Sequence, residues 1–338
     1  MSTAVKALGV TLATYRRPHL GRSLWQLANS TVLFVGTWAL MYALLDVAYW
    51  LALALSVPAA FFLIRLFIIQ HDCGHGSFFR SAAFANAVGR TIGVLTLTPY
   101  NYWRRTHAVH HANSGNLDHR GMGAVKTLTV AEYLTLPRWG RIRYRAYRHP
   151  LVIFGIGAAF LFVVRHRLPF RVPRTWKRER ASITLTNLCI AAVVTALGLT
   201  VGLREFLMVQ VPITLLASSI GVWLFFVQHQ FEDTYWERDR TWSFTASALE
   251  GSSYLALPKV LQWATGNIGL HHIHHLGARI PNYRLPEVLR DHPELARMGR
   301  VTLWEGIRSA RLALWDETQR KLVGFRGVRE FRATRCSA

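Results

Sequence analysis

Residues 206–228 read FLMVQVPITLLASSIGVWLFFVQ, without a single charge, and the next residue is His229. Crossing the hydrocarbon of a bilayer takes about 20 apolar residues, whereas an apolar run of about 10–14 is the length of a buried core helix. The stretch therefore reads as a membrane span that ends in a histidine. Three more blocks have the same character. LWQLANSTVLFVGTWALMYALL runs from Leu24 to Leu45, VAYWLALALSVPAAFFLI follows after Asp46, and ITLTNLCIAAVVTALGLTVGL covers Ile183–Leu203. Four spans are predicted, at about 24–45, 47–70, 183–203 and 206–228. Only Asp46 separates the first two, and only Arg204 and Glu205 the last two, so the spans pair as two hairpins. LVIFGIGAAFLFVV (151–164) and TIGVLTLTPY (91–100) are too short to span and are expected at the interface or packed on the bundle.

The 338 residues are 51% hydrophobic and 17% charged, against about a quarter charged in a soluble domain. The formal charge is +22, but its distribution argues against nucleic-acid binding. The hairpin turns are nearly empty of cations. RWGRIRYRAYRH (138–149) and RHRLPFRVPRTWKRER (165–180) lie on the opposite side. By the positive-inside rule, both termini and segments 71–182 and 229–338 are cytoplasmic, on a cell (inner) membrane. The first 22 residues lack the order of a signal peptide. Cys73, Cys189 and Cys336 form neither a disulfide framework nor a CxxC zinc pattern. No linker or repeat divides residues 1–338. The predicted fold is a single all-α integral membrane domain: four transmembrane helices in two hairpins under a cytoplasmic helical cap. Residues 302–322, TLWEGIRSARLALWDETQRKL, are expected to form an amphipathic helix over that cap.

Nine of the 15 histidines fall in three short runs: HDCGH (71–75), HAVHH (107–111) and HHIHH (271–275). On helices, His71 and His75 share a face, as do His107, His110 and His111, and His271, His274 and His275. His272 points to another face. His229 is a further candidate, and the topology puts all four places on one side of the membrane. Imidazoles gathered this way repel when protonated, and a shared cation compensates. One ion cannot hold so many ligands, so two metal ions with four or five nitrogens each are expected. No matching carboxylate set accompanies them, unlike soluble four-helix di-metal sites. Imidazole alone leaves the metal open.

The three runs resemble the histidine boxes HxxxH, HxxHH and HxxHH of the membrane fatty acid desaturases. Their settings are similar to the bacterial acyl-lipid, delta-12-like branch: ATYRRPHLGRSLWQLANS, HDCGHGSFF, TPYNYWRRTHAVHHANSGNLDHRG, FVQHQFEDTYW and HHIHHLGARIPNY. The resemblance covers roughly residues 12–295. It implies two irons that use O2 to take hydrogens from an acyl chain and leave a cis double bond. It also implies His71, His75, His107, His110, His111, His271, His274 and His275 as ligands, with His229 matching the histidine that the family carries near the end of its fourth span. Zinc has no redox chemistry and could not serve. The cytochrome b5 motif HPGG is absent; RHPL at 148–151 lacks its glycines. An external electron donor such as ferredoxin is implied, with membrane-lipid acyl chains as substrate.

A hydroxylase on the same di-iron scaffold shares the boxes and remains open at this stage. A metal transporter would carry ionisable residues in mid-span, and here only Arg65 stands within a span, near its end. A zinc hydrolase or receptor would need a dedicated carboxylate or nucleophile. Asp72, Asp118 and His119 are candidates to orient ligand imidazoles, Asn267 to support the site, and Glu232 and Asp233 to bond the cap or meet the donor. Cys73 faces away from its neighbouring histidines. Double-bond position, chain length, acyl carrier and oligomeric state are not legible.

Overall fold

The computed structural model describes residues 11–327. The two termini expected in the cytoplasm, and Cys336, lie outside the described residues.

Each apolar block is helical. The first two form α1 (Leu20–Ala43) and α2 (Tyr49–His75), packed side by side. α2 continues past residue 70 and carries His71 and His75 in its last turns. It stops because Gly76 turns left-handed (φ 68°) and Ser77 N–H bonds back to Asp72 O at 3.0 Å, an arrangement that glycine favours. α3 (Ala82–Leu95) starts on the Ser81 side chain, and α4 (Tyr100–Asn113) starts after Pro99. Then come β1 (Leu128–Thr129), α5 (Val130–Thr135), α6 (Arg138–Arg148), a π-type turn (Leu151–Ile156) and α7 (Gly157–Val163). Residues 151–164 pack along the bundle, with Phe154 edge-on to Phe226 at 5.2 Å.

The remaining apolar blocks form α8 (Lys177–Leu197) and α9 (Leu203–Val227), joined without a loop by a π-type turn. A straight rod would hold Ser182 and His229 about 70 Å apart. Yet Ser182 Oγ accepts a hydrogen bond from Asn101 N at 3.1 Å, and His229 lies 3.0 Å from His110 on the same α4. The chain therefore folds back, and Gly202 (φ 92°) supplies the conformation that a helix lacks. Two stretches are long and apolar enough to cross a membrane: Tyr49–His75 and Lys177–Val227. A third qualifies if the pair Arg138–Arg148 and Leu151–Arg167, bent by 63°, counts as one span. α1 has the length but is more polar, through Gln26, Asn29 and Thr31.

After α9 come α10 (Phe244–Leu249), β2 (Tyr254–Ala256), α11 (Lys259–Ala264), α12 (His271–Leu276), α13 (Leu285–Asp291), β3 (Arg300–Thr302), α14 (Leu303–Ser309), β4 (Leu314–Asp316) and β5 (Lys321–Val323). Two expectations need correction. The fold is mostly helical rather than all-α: β1, β4 and β5 form one small sheet, and β2 pairs in parallel with β3. Residues 302–322 are not one helix. α14 is capped by Thr302 and Glu305 but ends at Ser309, and a β-hairpin pairs Leu314 with Val323. Trp315 is buried there with Leu117, Trp236 and Leu322, and this packing outweighs helical periodicity. The main core lies between α1, α2, α3 and α9, around Leu63, Leu66, Ile69, Phe78, Val209 and Ile213.

Candidate metal centre

Four separate elements bring the nine candidate histidines together. α2 supplies His71 and His75, α4 supplies His107, His110 and His111, the exit of α9 supplies His229, and α12 supplies His271, His274 and His275. They sort into two groups, His71, His75, His107, His111 and His274, and His110, His229, His271 and His275. Within each group the nearest ligand nitrogens all lie within 4.8 Å of one another.

The atoms facing inward fit a cation better than hydrogen bonds. His111 Nε2 is 3.1 Å from both His107 Nε2 and His274 Nε2. His229 Nε2 is 3.0 Å from His110 Nε2 and 3.1 Å from His271 Nε2. A neutral ring nitrogen either donates one proton or accepts through one lone pair, so it cannot satisfy two such neighbours at once. The Nε2 atoms of His71, His75 and His275 are buried with no partner at all among the described residues. Buried polar atoms are seldom left so. Around an ion with bonds of about 2.1 Å, adjacent octahedral ligands lie about 3.0 Å apart, which matches the observed spacings. The donor set therefore fits a pair of imidazole-bound metal ions.

The surroundings set tautomers and charge. His229 Nδ1 faces Gly251 O at 3.1 Å, so it carries the proton and leaves the Nε2 lone pair inward. His71 Nδ1 meets Asp72 Oδ1 at 3.0 Å. The other carboxylate oxygen of Asp72 accepts from Asn282 N and Nδ2 at 2.7 and 2.9 Å, and Asn282 Oδ1 accepts from Gln26 Nε2 at 2.9 Å. A buried chain thus runs from α1 to the first group. Burial brings the His229 imidazole down to about 4. Burial, then neighbouring imidazoles, holds His107, His110, His111, His271, His274 and His275 well below the usual range. All are neutral and ready to ligate near neutral pH. The indole of Trp103 stacks on His107 at 4.5 Å.

Other candidates fall elsewhere. His272 is buried but turns away, with Nε2 against Leu295 O at 3.0 Å. Cys73 packs in the main core. Asp118 and His119 do not orient ligand imidazoles. Asp118 pairs with Arg238 at 2.9 Å and His119 with Asp239 at 3.1 Å, in an exposed loop whose acids and cations satisfy one another. Asn267 Nδ2 reaches Asn282 O at 3.3 Å and touches no ligand in these groups. Glu232 and Asp233 both face Lys321 on β5, so they bond the cap. Sequence reasoning missed Asn282, Gln26 and Gly251. Asn282 stands seven residues after His275, a distance that signals nothing without the fold.

The fatty acid desaturase family model matches residues 48–306, and the chain belongs to this family. A fatty acid desaturase of Bacillus subtilis is 45% identical over 324 residues, covering 96% of this chain and 92% of that protein. An endoplasmic reticulum omega-3 fatty acid desaturase of Vigna radiata is 29% identical, over 67% of this chain and 60% of its own length. A Synechocystis protein, sn-1 acyl-lipid omega-3 desaturase (ferredoxin), is 29% identical over 65% and 61%. The protein is a fatty acid desaturase, an oxidoreductase; the hydroxylase reading is not favoured, and a transporter or zinc hydrolase does not fit the family.

Proposed function

We propose that the protein is an oxygen-dependent di-iron desaturase that introduces a cis double bond into an acyl chain of a membrane lipid. The observation that carries this is the sorting of nine histidines into groups of five and four. His71, His75, His107, His111 and His274 would hold one iron, and His110, His229, His271 and His275 the other. Bound iron, with O2 as co-substrate, would supply the oxidising power that an unactivated C–H bond demands. The balance is closed: the chain gives up two hydrogens, a donor gives two electrons, two protons are taken up, and O2 leaves as two waters. The donor is external and of the ferredoxin kind, a reading supported by the name of the Synechocystis relative.

The protein's own part is to hold and shield. Asp72 fixes the His71 ring with its bare nitrogen inward, and Gly251 O does the same for His229. Burial of the ligands keeps water from the oxidant. Four helices in two hairpins, α1/α2 and α8/α9, cross the membrane, with the histidine-bearing cap and the active site on the cytoplasmic face of the inner membrane. The exposed apolar side chains Trp25, Val32, Leu53, Leu185 and Leu188 would meet lipid. The test is expression in a host without polyunsaturated lipids, followed by fatty acid analysis with double-bond location. A new unsaturated species supports the reading, and a hydroxylated product would replace it.

A further inference from the structure

Residues 164–176 join α7 to α8, two helices whose outer faces are apolar: Phe160 and Val163 on one, Leu185 and Leu188 on the other, all exposed. The connection and the first turn of α8 expose five cations, Arg165, Arg171, Arg174, Lys177 and Arg178. None makes an ion pair with an acid among the described residues. Some arginines elsewhere are matched, Arg238 by Asp118 and Arg120 by Glu132, whereas here five unmatched cations stand within 14 residues. The only acid in 165–180, Glu179, is engaged by Arg105 of α4 at 3.1 Å. Leu168 and Phe170, 42% and 69% exposed, stand between the cations. Apolar side chains among unmatched cations, at the ends of two apolar helices, match an anionic lipid surface.

The segment is also anchored. The Arg105 guanidinium lies 3.8 Å from the Trp176 ring, and Arg180 and Arg167 donate to Val172 O and Asn187 Oδ1 at 3.2 and 3.0 Å. Arg105 stands two residues before His107, so this surface is fastened to the helix that carries the second histidine run.

We propose that the 165–178 segment is a binding surface for anionic phospholipid headgroups and that it biases the enzyme toward acyl chains carried on such lipids. The proposal rests on the acyl-lipid reading above and names the substrate class within it.

The test uses the full-length iron-loaded enzyme in vesicles of phosphatidylglycerol and phosphatidylcholine in equal amounts with identical acyl chains, supplied with O2 and reductant. Product in each lipid class is measured by mass spectrometry. The wild type should favour phosphatidylglycerol by about threefold or more, and the ratio should approach one in 0.5 M salt. R171Q/R174Q/K177Q should lose most of that preference. R240Q/R297Q, exposed cations elsewhere, should keep it. In parallel, lipid retained by each protein from mixed micelles of the two lipids is counted, which reads the surface even on chains that are not desaturated. Retention of phosphatidylglycerol without turnover of either lipid would sink the acyl-lipid reading and leave the headgroup surface standing. Equal retention of both lipids by the wild type, or an equal loss in R240Q/R297Q, would overturn the surface. A variant that keeps lipid preference but loses rate only with an acidic ferredoxin as reductant would also overturn it and assign the segment to the donor.

Discussion

His229 stands outside the three histidine runs, yet its Nε2 faces both His110 and His271. Its loss removes one of four donors from the second group. His229→Ala should lower iron from about two toward one per chain in purified protein and remove most activity, without altering membrane insertion; two retained irons would return it to a helix-end polar residue. His272 offers the contrast, since its contact is a backbone carbonyl. His272→Ala should keep both metals, while His274→Ala should not, as read by elemental analysis. Asp72 acts at one remove. Asp72→Asn should weaken metal binding at the first group by about 10–100-fold, the usual consequence of losing such a partner. A titration with two equal, unperturbed binding events in that variant would refute its role.

Short elements hold the groups in register. The loop after α4 passes over the second group at Gly123, whose φ is 68°. A Cβ there would stand 2.8 Å from Thr106 O and 3.1 Å from His110 Cβ. Gly123→Ala should therefore push on His110 and reduce metal at the second group first, leaving the first group loaded; elemental analysis with a metal titration distinguishes this from general unfolding. Helices were legible in the chain because an apolar run of 20 residues has few other fates. The small strands were not. β4 and β5 are three residues each; Leu314, Trp315 and Asp316 are all buried, so no alternation marks β4, and β5 is too short for its own to stand out. They exist because β1, nearly 190 residues earlier, and Trp236 offer them a partner.

For the molecule as a whole, the proposed topology requires the segment after His111 to be cytoplasmic, and a reporter fused there should read so. The imidazoles also make a linked pH prediction. Their folded-state affinities for protons lie below that of an unfolded histidine near 6.5. Between those values the unfolded chain binds more protons, so stability rises with pH through the window and is lost on acidification. For His229 the window runs from 6.5 down to about 4. The metal-stripped protein should show a thermal midpoint that falls between about pH 6.5 and 5. A flat midpoint would mean that the histidines are not buried as neutral groups.

The membrane class, the approximate helices and the nine histidines could be read from the chain because each rests on local pattern: apolar length, charge asymmetry, or spacing on one helix. The division of those histidines could not. Positions i+3 and i+4 share the face of position i but lie on opposite sides of it, so His107 and His111 join the first group and His110 joins the second. On α12, His271 and His275 pair likewise and His274 crosses to the other group. Spacing shows that these residues diverge but not toward what. The Asp72–Asn282–Gln26 chain depends on segments 210 and 256 residues apart meeting, and the Gly251 carbonyl reaches His229 across 22 residues. Contacts between residues more than 200 positions apart have no local signature, because only packing of the finished bundle brings them within hydrogen-bond distance.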